Sequence, residues 1–339
     1  MYRAAFLGCG PRARGHAVAY HQVHKGRICA LCDTNPERLS QFGEQFHVAA
    51  RYSDFAKMVK QEQPDLVHMV TLPALRVPLL TQAVELGVPA VLVEKPLACD
   101  ADELAAIEQL GAGNTKIIVN HQLRFHRVYQ MLRDDVLAGR IGKLRFIDAS
   151  CFSRTSEQGS HAMNLVFALN GDSPPVMVHG ACSGAEGLKP AYGHPGPDTG
   201  WALFEFANGV RCAFLAGEGA PRNDNPSVWM QKRVAAFGDE GHVEWTMIGW
   251  NRQLKGAAPE SGELDYATED TPGQAALTDA IFDWLADPAK LHPTRLEVSL
   301  LEARAIMGLY ASAIAQRPLA LPLSSDEPLL PELAKTLGG

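Results

Sequence analysis

The sequence predicts an α/β chain in two parts. Residues 1–121 read as a doubly wound parallel sheet, and residues 122–339 as an α+β domain built on a large, mostly antiparallel open sheet. Three observations carry this. Up to about residue 120, short apolar runs alternate with amphipathic stretches of about 10–15 residues, the pattern of βαβ units. Further on, the runs lengthen, alternate in polarity and are joined by Gly/Asn/Pro turns, as in hairpin-linked antiparallel sheets. At 339 residues the chain is also long for one core.

The elements follow in order. AAFLGCG is a short apolar strand ending in glycines, ARGHAVAYHQVHK a helix and RICALCD a second strand. NPERLSQFGEQF starts a helix at Pro36, because proline suits a first helical turn. DLVHMVTLP, AVLVEKP and TKIIVNHQ give three further strands, separated by helical ALRVPLLTQAVELG and DADELAAIEQLGAG. Then helix RVYQMLRDDVLAGR leads into the strands KLRFIDASCFS, VMVHGACSGAE, GWALFEFANGVRCAFLAGEG, WMQKRVAAFG and GHVEWTMIG, with a helix near AMNLVFALNG. The helices GQAALTDAIFDWLAD and TRLEVSLLEARAIMGLYASAIAQR close the chain and are able to pack back on the amino-terminal domain. The tail from Leu321 reads as an extended arm.

Composition removes several function classes. A net charge of −7 argues against a nucleic-acid or acidic-membrane partner. No basic leader precedes the first strand, and no run of about 20 apolar residues is evident, so a cytoplasmic protein is expected. The seven cysteines are irregularly spaced. Cys29 and Cys32 would face opposite sides of a strand, so the expectation is reduced, buried thiols. His16, His21 and His24 read as a solvated or half-buried helix face, and no metal is expected. Four tryptophans, Trp201, Trp229, Trp245 and Trp250, are expected in the core or at a subunit interface.

Gly8-Cys9-Gly10-Pro11-Arg12-Ala13 follows a strand and precedes a helix, as in the G-x-G-x-x-A dinucleotide turn. There the first glycine permits the tight turn, the second lets backbone approach a pyrophosphate, and the third position stays small for helix–strand packing. The phosphates sit at the helix N-terminus, where free N–H groups favour an anion. Asp33 ends the next strand about 20 residues on, where a carboxylate accepts from ribose hydroxyls and repels a 2′-phosphate. Binding of NAD is therefore expected. Arg12, Arg14 and Arg38 leave NADP open, and Asp33 also fits a turn before Asn35-Pro36.

The stretch AVLVEKP sets an acid and a base, Glu94 and Lys95, at the mouth of a buried strand. With TLP, LRFH, GRIGKL, EQGSHAMN and a last helix running into RPLALPL, in that order, the chain resembles the Gfo/Idh/MocA family, named for glucose–fructose oxidoreductase and inositol dehydrogenase. The resemblance implies a Rossmann domain, a second domain whose open sheet forms a homodimer or homotetramer, and NAD-dependent oxidoreduction of a secondary alcohol or ketone. The substrate class it implies is a sugar, polyol or sugar derivative.

It makes Lys95 the proton-handling residue beside nicotinamide, with Glu94 contacting the cofactor or orienting Lys95. Thr71, Pro73 and Asn120 become cofactor contacts, and Arg76 stands where relatives usually carry histidine. In inositol dehydrogenases a further segment reads D-x-G-x-H-x-x-D. Here it is Glu157 to Asn164, with His161 as the second catalytic residue and both acids replaced. Glu157 and Asn164 would hold substrate, and Asn164 cannot act as a base. Arg124 binds substrate or pairs with an acid. Pro96 restricts how Lys95 can point, and the Lys95–Pro96 bond is open to a cis form. Two other readings stay open: an NAD-retaining, redox-assisted glycoside hydrolase or lyase, and a non-catalytic cofactor-binding regulator.

Overall fold

The computed structural model describes residues 1–189 and 193–338. Two compact units emerge, each assembled from three stretches of chain. Unit 1 comprises Met1–Leu97, Ala105–Phe125 and Thr268–Ser299; unit 2 comprises Ala98–Leu104, His126–Ala267 and Leu300–Gly339.

Elements are numbered along the chain. The first are β1 (Tyr2–Leu7), α1 (Pro11–Val18), β2 (Gly26–Cys32), α2 (Pro36–Gln45), β3 (Arg51–Tyr52), α3 (Phe55–Glu62), β4 (Leu66–Met69), α4 (Arg76–Glu85), β5 (Ala90–Val93), α5 (Ala101–Leu110) and β6 (Lys116–Val119). They continue with α6 (Arg127–Leu137), β7 (Leu144–Cys151), α7 (Ser160–Leu169), β8 (Pro175–Ser183), β9 (Thr199–Phe206), β10 (Arg211–Ala216), β11 (Lys232–Gly238), β12 (His242–Thr246), β13 (Gly249–Gln253) and β14 (Glu260–Glu263). Last come α8 (Tyr266–Ala286), α9 (Leu296–Ala315), β15 (Leu319–Ala320) and α10 (Leu330–Thr336).

In unit 1 six parallel strands run in the order β3-β2-β1-β4-β5-β6. Strand order reverses between β1 and β4, which opens a crevice at the carboxyl ends of the strands. The helices start where their caps are. Asn35 accepts from the Arg38 N–H ahead of Pro36, and Asp54 accepts from the Lys57 N–H. From α8, Leu277, Ile281, Phe282 and Trp284 pack on Ala4, Leu66, Leu92 and Ile118 of the sheet. Beyond β6, the Val119 N–H donates to the Thr294 carbonyl, and Thr294 Oγ1 donates back to Val119 O, so the segment before α9 extends the sheet edge.

Unit 2 is built on a nine-stranded sheet in the order β14-β13-β12-β11-β7-β10-β9-β8-β15. Only β7 and β10 pair in parallel; the other neighbours are antiparallel. Helix α7 packs on β7 and β11, and Tyr129 of α6 meets Trp245 of β12 edge-on at 5.8 Å. The Asn208-Gly209 turn joins β9 to β10, as the sequence indicates.

Some elements differ from expectation. The first helix stops at Val18 rather than near Lys25, because Tyr20, His21, Val23 and His24 are weak helix formers and residues 19–21 tighten into a 3-10 turn. Strands β3, β13 and β14 carry too little periodic signal to be read; helix α3 goes unread although Asp54 caps it and Phe55, Met58 and Val59 recur at helical spacing. The tail is not simply an arm: β15, just ahead of it, pairs with β8, and within it α10 is anchored by fully buried Leu333 and by Leu329 and Leu330 N–H groups donating to Asp100. Of the four tryptophans singled out in the sequence, Trp245 is core, Trp250 is half-buried, and Trp201 and Trp229 are exposed. Helix α9 is long and apolar enough to cross a membrane, contrary to the sequence reading, but 67% of that window is buried inside the protein, as in a core helix. All seven cysteines are free, with Cys29 and Cys182 half-buried.

Candidate active site

The glycine-rich turn is shaped by backbone contact. Gly8 has φ +95°, and a Cβ there would lie 2.3 Å from the Val70 carbonyl oxygen, so only glycine fits. Gly10 is different: a Cβ would meet nothing within 4 Å. Its side of the turn therefore faces open space. Gly10 caps α1, Pro11 follows at the surface, and Ala13 is fully buried beneath. Asp33 ties the turn to β2: its Oδ2 accepts from the Cys9 N–H at 2.7 Å and its Oδ1 from the Asn35 N–H at 2.8 Å. Across the switch point Pro73 is buried, and the buried Thr71 Oγ1 has no hydrogen-bond partner.

Glu94 is the centre of unit 1's polar interior. Its Oε1 accepts from Arg12 Nε at 2.9 Å, His16 Nε2 at 2.6 Å and Asn120 Nδ2 at 2.8 Å. Burial alone would push this carboxyl up, but Arg12, His16 and Lys95 outweigh it and hold it well below the usual carboxylate range. Arg12 is thus engaged by Glu94, and Asn120 takes a further bond on Oδ1 from Gln274 Nε2 at 3.0 Å. Arg76, at the first turn of α4, is buried and donates from Nη1 to the carbonyls of Glu94 and Pro96. It braces the backbone on either side of half-buried Lys95, and the Lys95–Pro96 bond is cis. Arg124 lies in the turn 122–125, buried, and donates to the Pro293 carbonyl at 2.8 Å.

Unit 2 carries the second motif. Thr155–Gly159 are wound as a π-helix running into α7, a distortion that often marks functional segments. Glu157 accepts from Ser153 Oγ at 2.7 Å and lies 3.4 Å from Arg154 Nη1. His161, in the first turn of α7, is buried, and Asn164 is one turn on. Asn164 is fully buried, yet neither amide atom has a hydrogen-bond partner. A buried amide left so is costly, which marks the Asn164 side chain as one that a ligand would satisfy. Within the same motif Gln158 accepts from buried Lys232 Nζ at 2.8 Å.

Among the described residues, no group of three or more His, Cys, Asp or Glu is placed to hold a metal. The sequence reading missed His16, His68, Tyr20, Gln274 and Lys232. It placed His16 on a solvated face; the ring is fully buried, because α1 turns it inward onto Glu94. His21 and His24 are exposed.

Residues 2–121 match the family model of the Gfo/Idh/MocA proteins, described as an oxidoreductase family with an NAD-binding Rossmann fold. Through this region the chain is similar to the Gfo/Idh/MocA oxidoreductases. D-apiose dehydrogenase of Paraburkholderia graminis is 30% identical over 142 residues, 42% of this chain and 38% of that protein. Inositol 2-dehydrogenase 4 of Saccharopolyspora erythraea is 26% identical over 168 residues, 49% of each. The chain thus spans less than half the length of these curated relatives. Beyond that stretch the likeness is one of fold. An oxidoreductase from Agrobacterium radiobacter, in complex with NAD+, L-tartaric acid and magnesium, superposes with a TM-score of 0.79 at 18% identity, over 94% of this chain and 98% of that one.

Proposed function

We propose that the protein is an NAD-dependent oxidoreductase acting on a secondary alcohol or ketone of a sugar, polyol or sugar derivative. One observation carries the reading. The open space at Gly10, the orphaned Thr71 Oγ1 and the carboxylates of Asp33 and Glu94 belong to elements whose carboxyl ends flank one switch point. These residues fit a dinucleotide. Gly8, Gly10, Pro11, Arg12 and Ala13 would form the phosphate turn, Asp33 would hold the adenosine ribose, and Thr71, Pro73 and Glu94 would serve the nicotinamide half. NAD, when bound, supplies the hydride acceptor or donor.

The chain's own part is binding and proton handling. Glu94 Oε2 has no hydrogen-bond partner among the described residues, so it is the oxygen available to a ribose hydroxyl. Asn120 and Arg12 hold the opposite oxygen rather than stand clear of it. Lys95 is assigned the substrate-hydroxyl proton from unit 1, and His161 from unit 2. Arg124, Glu157 and Asn164 are assigned to substrate, Asn164 through its unsatisfied amide. A homodimer or homotetramer through the open sheet belongs to the same reading. It is supported by Met177, Trp201 and Leu203, exposed on neighbouring β8 and β9.

The deciding experiment is a screen of sugars and polyols with NAD, following NADH absorbance. Turnover of a polyol or sugar supports the reading. Cleavage of aryl glycosides without net NADH would replace it with redox-assisted bond cleavage, and NAD binding without any turnover would replace it with a regulator.

A further inference from the structure

Four side chains of unit 1 stand in single file. The Tyr20 hydroxyl lies 2.8 Å from His68 Nε2, His68 Nδ1 lies 3.1 Å from His16 Nδ1, and His16 Nε2 lies 2.6 Å from Glu94 Oε1. Both imidazoles are fully buried, and Phe6 stacks on His68 with ring centroids 4.4 Å apart. Nothing in the proposed chemistry uses His68 or Tyr20.

The protons in this file have one consistent arrangement. Burial pushes His16 down, against the pull of Glu94 and of Asp270 and with a further push from Arg12. Burial and then His16 push His68 well down, against Glu94. Both rings are therefore neutral near pH 7, and each carries one N–H. An ionised carboxylate only accepts, so the His16 proton sits on Nε2 and its Nδ1 is an acceptor. His68 must then carry its proton on Nδ1 and accept on Nε2 from the Tyr20 hydroxyl. Asn120 Nδ2 also lies 3.0 Å from His16 Nε2. Gln274 occupies its oxygen, however, so the amide N–H group donates to Glu94 Oε1. Every donor in the file points toward one carboxylate oxygen.

We propose that His16, His68 and Tyr20 are positioning residues that lock the Glu94 carboxylate in one orientation, with Oε1 saturated and Oε2 presented to a cofactor hydroxyl. This rests on the cofactor reading above. His16 acts on Glu94 directly, His68 by fixing the His16 tautomer, and Tyr20 by fixing that of His68. A carboxylate free to rotate would meet a ribose hydroxyl in only part of its population, which lowers affinity without moving any residue that contacts substrate.

The test uses the full chain with NAD as the titrant, and 15N NMR of the imidazoles. In the wild type, His16 should show a neutral ring protonated on Nε2 and His68 one protonated on Nδ1. His68→Phe keeps an aromatic ring against Phe6 but removes the donor to His16. It should weaken NAD binding about tenfold and disperse the His16 tautomer signals. His68→Asn, whose amide nitrogen replaces Nδ1–H, should restore binding to within about twofold, a rescue that packing alone would not give. Tyr20→Phe should cost about two- to threefold.

Unchanged NAD affinity in folded His68→Phe overturns the proposal. So does a wild-type His16 ring protonated on Nδ1, a measurement that stands even where His68→Phe fails to fold. A wild-type chain that does not bind NAD overturns the cofactor reading itself, and with it the purpose assigned to the file.

Discussion

Strand β5 of unit 1 and strand β9 of unit 2 solve opposite problems. Ala90, Val91, Leu92 and Val93 are all fully buried, as expected of a central parallel strand covered on both faces. Along β9, buried Ala202, Phe204 and Phe206 alternate with exposed Trp201 and Leu203. A covered sheet confines its chemistry to strand ends, where Glu94 and Lys95 stand. The open sheet keeps a whole face for contact and displays apolar side chains on it.

The contrast is broken most directly in the core. Leu92→Ala should cost about 2–5 kcal/mol in denaturant unfolding, because the site cannot collapse around the lost methyl groups. At the chemical end of the same strand, Lys95→Ala should lower turnover about 100-fold or more with NAD affinity retained. Equal loss of NAD binding, read by titration, would make Lys95 a cofactor anchor instead. Asp33→Ala should weaken NAD binding about tenfold and relatively improve NADP use, read as the ratio of kcat/KM for the two cofactors. An unaltered ratio would remove the argument for NAD.

Acid should also separate the units. His16 and His68 are held below their ordinary range by burial, and burial takes His292 down to about 3. The unfolded chain therefore binds protons first as pH falls. The stabilisation these groups give is complete above the unfolded value of about 6.5 and declines steadily below it. The depressed Glu94 carboxyl adds a further loss below the ordinary carboxylate range. Hydrogen exchange at pH 5 should show protection falling first in β1, β4 and β5. Smallest of all should be Leu203→Ala on the open face of β9. There the stability change should stay within about 0.5 kcal/mol, while a shift in sedimentation mass would mark the face as an interface between copies.

Much of this was legible in the chain. Continuous apolar runs against alternating ones distinguished the two sheets, and the glycine turn, Asp33 and E-K-P stood at strand ends where the fold delivers ligands. The interior of unit 1 was not legible. Helical spacing tells which residues share a face but not what will cover that face, so His16 read as solvated. His68, between Val67 and Met69, is one polar break in an apolar strand. Its meaning depends on Tyr20 and His16 from a different element, and Asn120 is oriented by Gln274, 154 residues away. Arg76 read as a departure from a family pattern, whereas its position shows a brace on two carbonyls. No local pattern carries such long-range pairings.

The division of unit 1 into three stretches has a consequence in time. Tyr2, at the start of β1, stacks on Phe282, and the edge of β6 is completed by Thr294. At about 5–20 residues per second, a ribosome needs on the order of 10–40 s after finishing β6 to deliver those partners. Through that interval the nascent parallel sheet waits with an apolar face and a strand edge uncovered. The cell must shelter a sheet whose strands and whose cover are made far apart in translation.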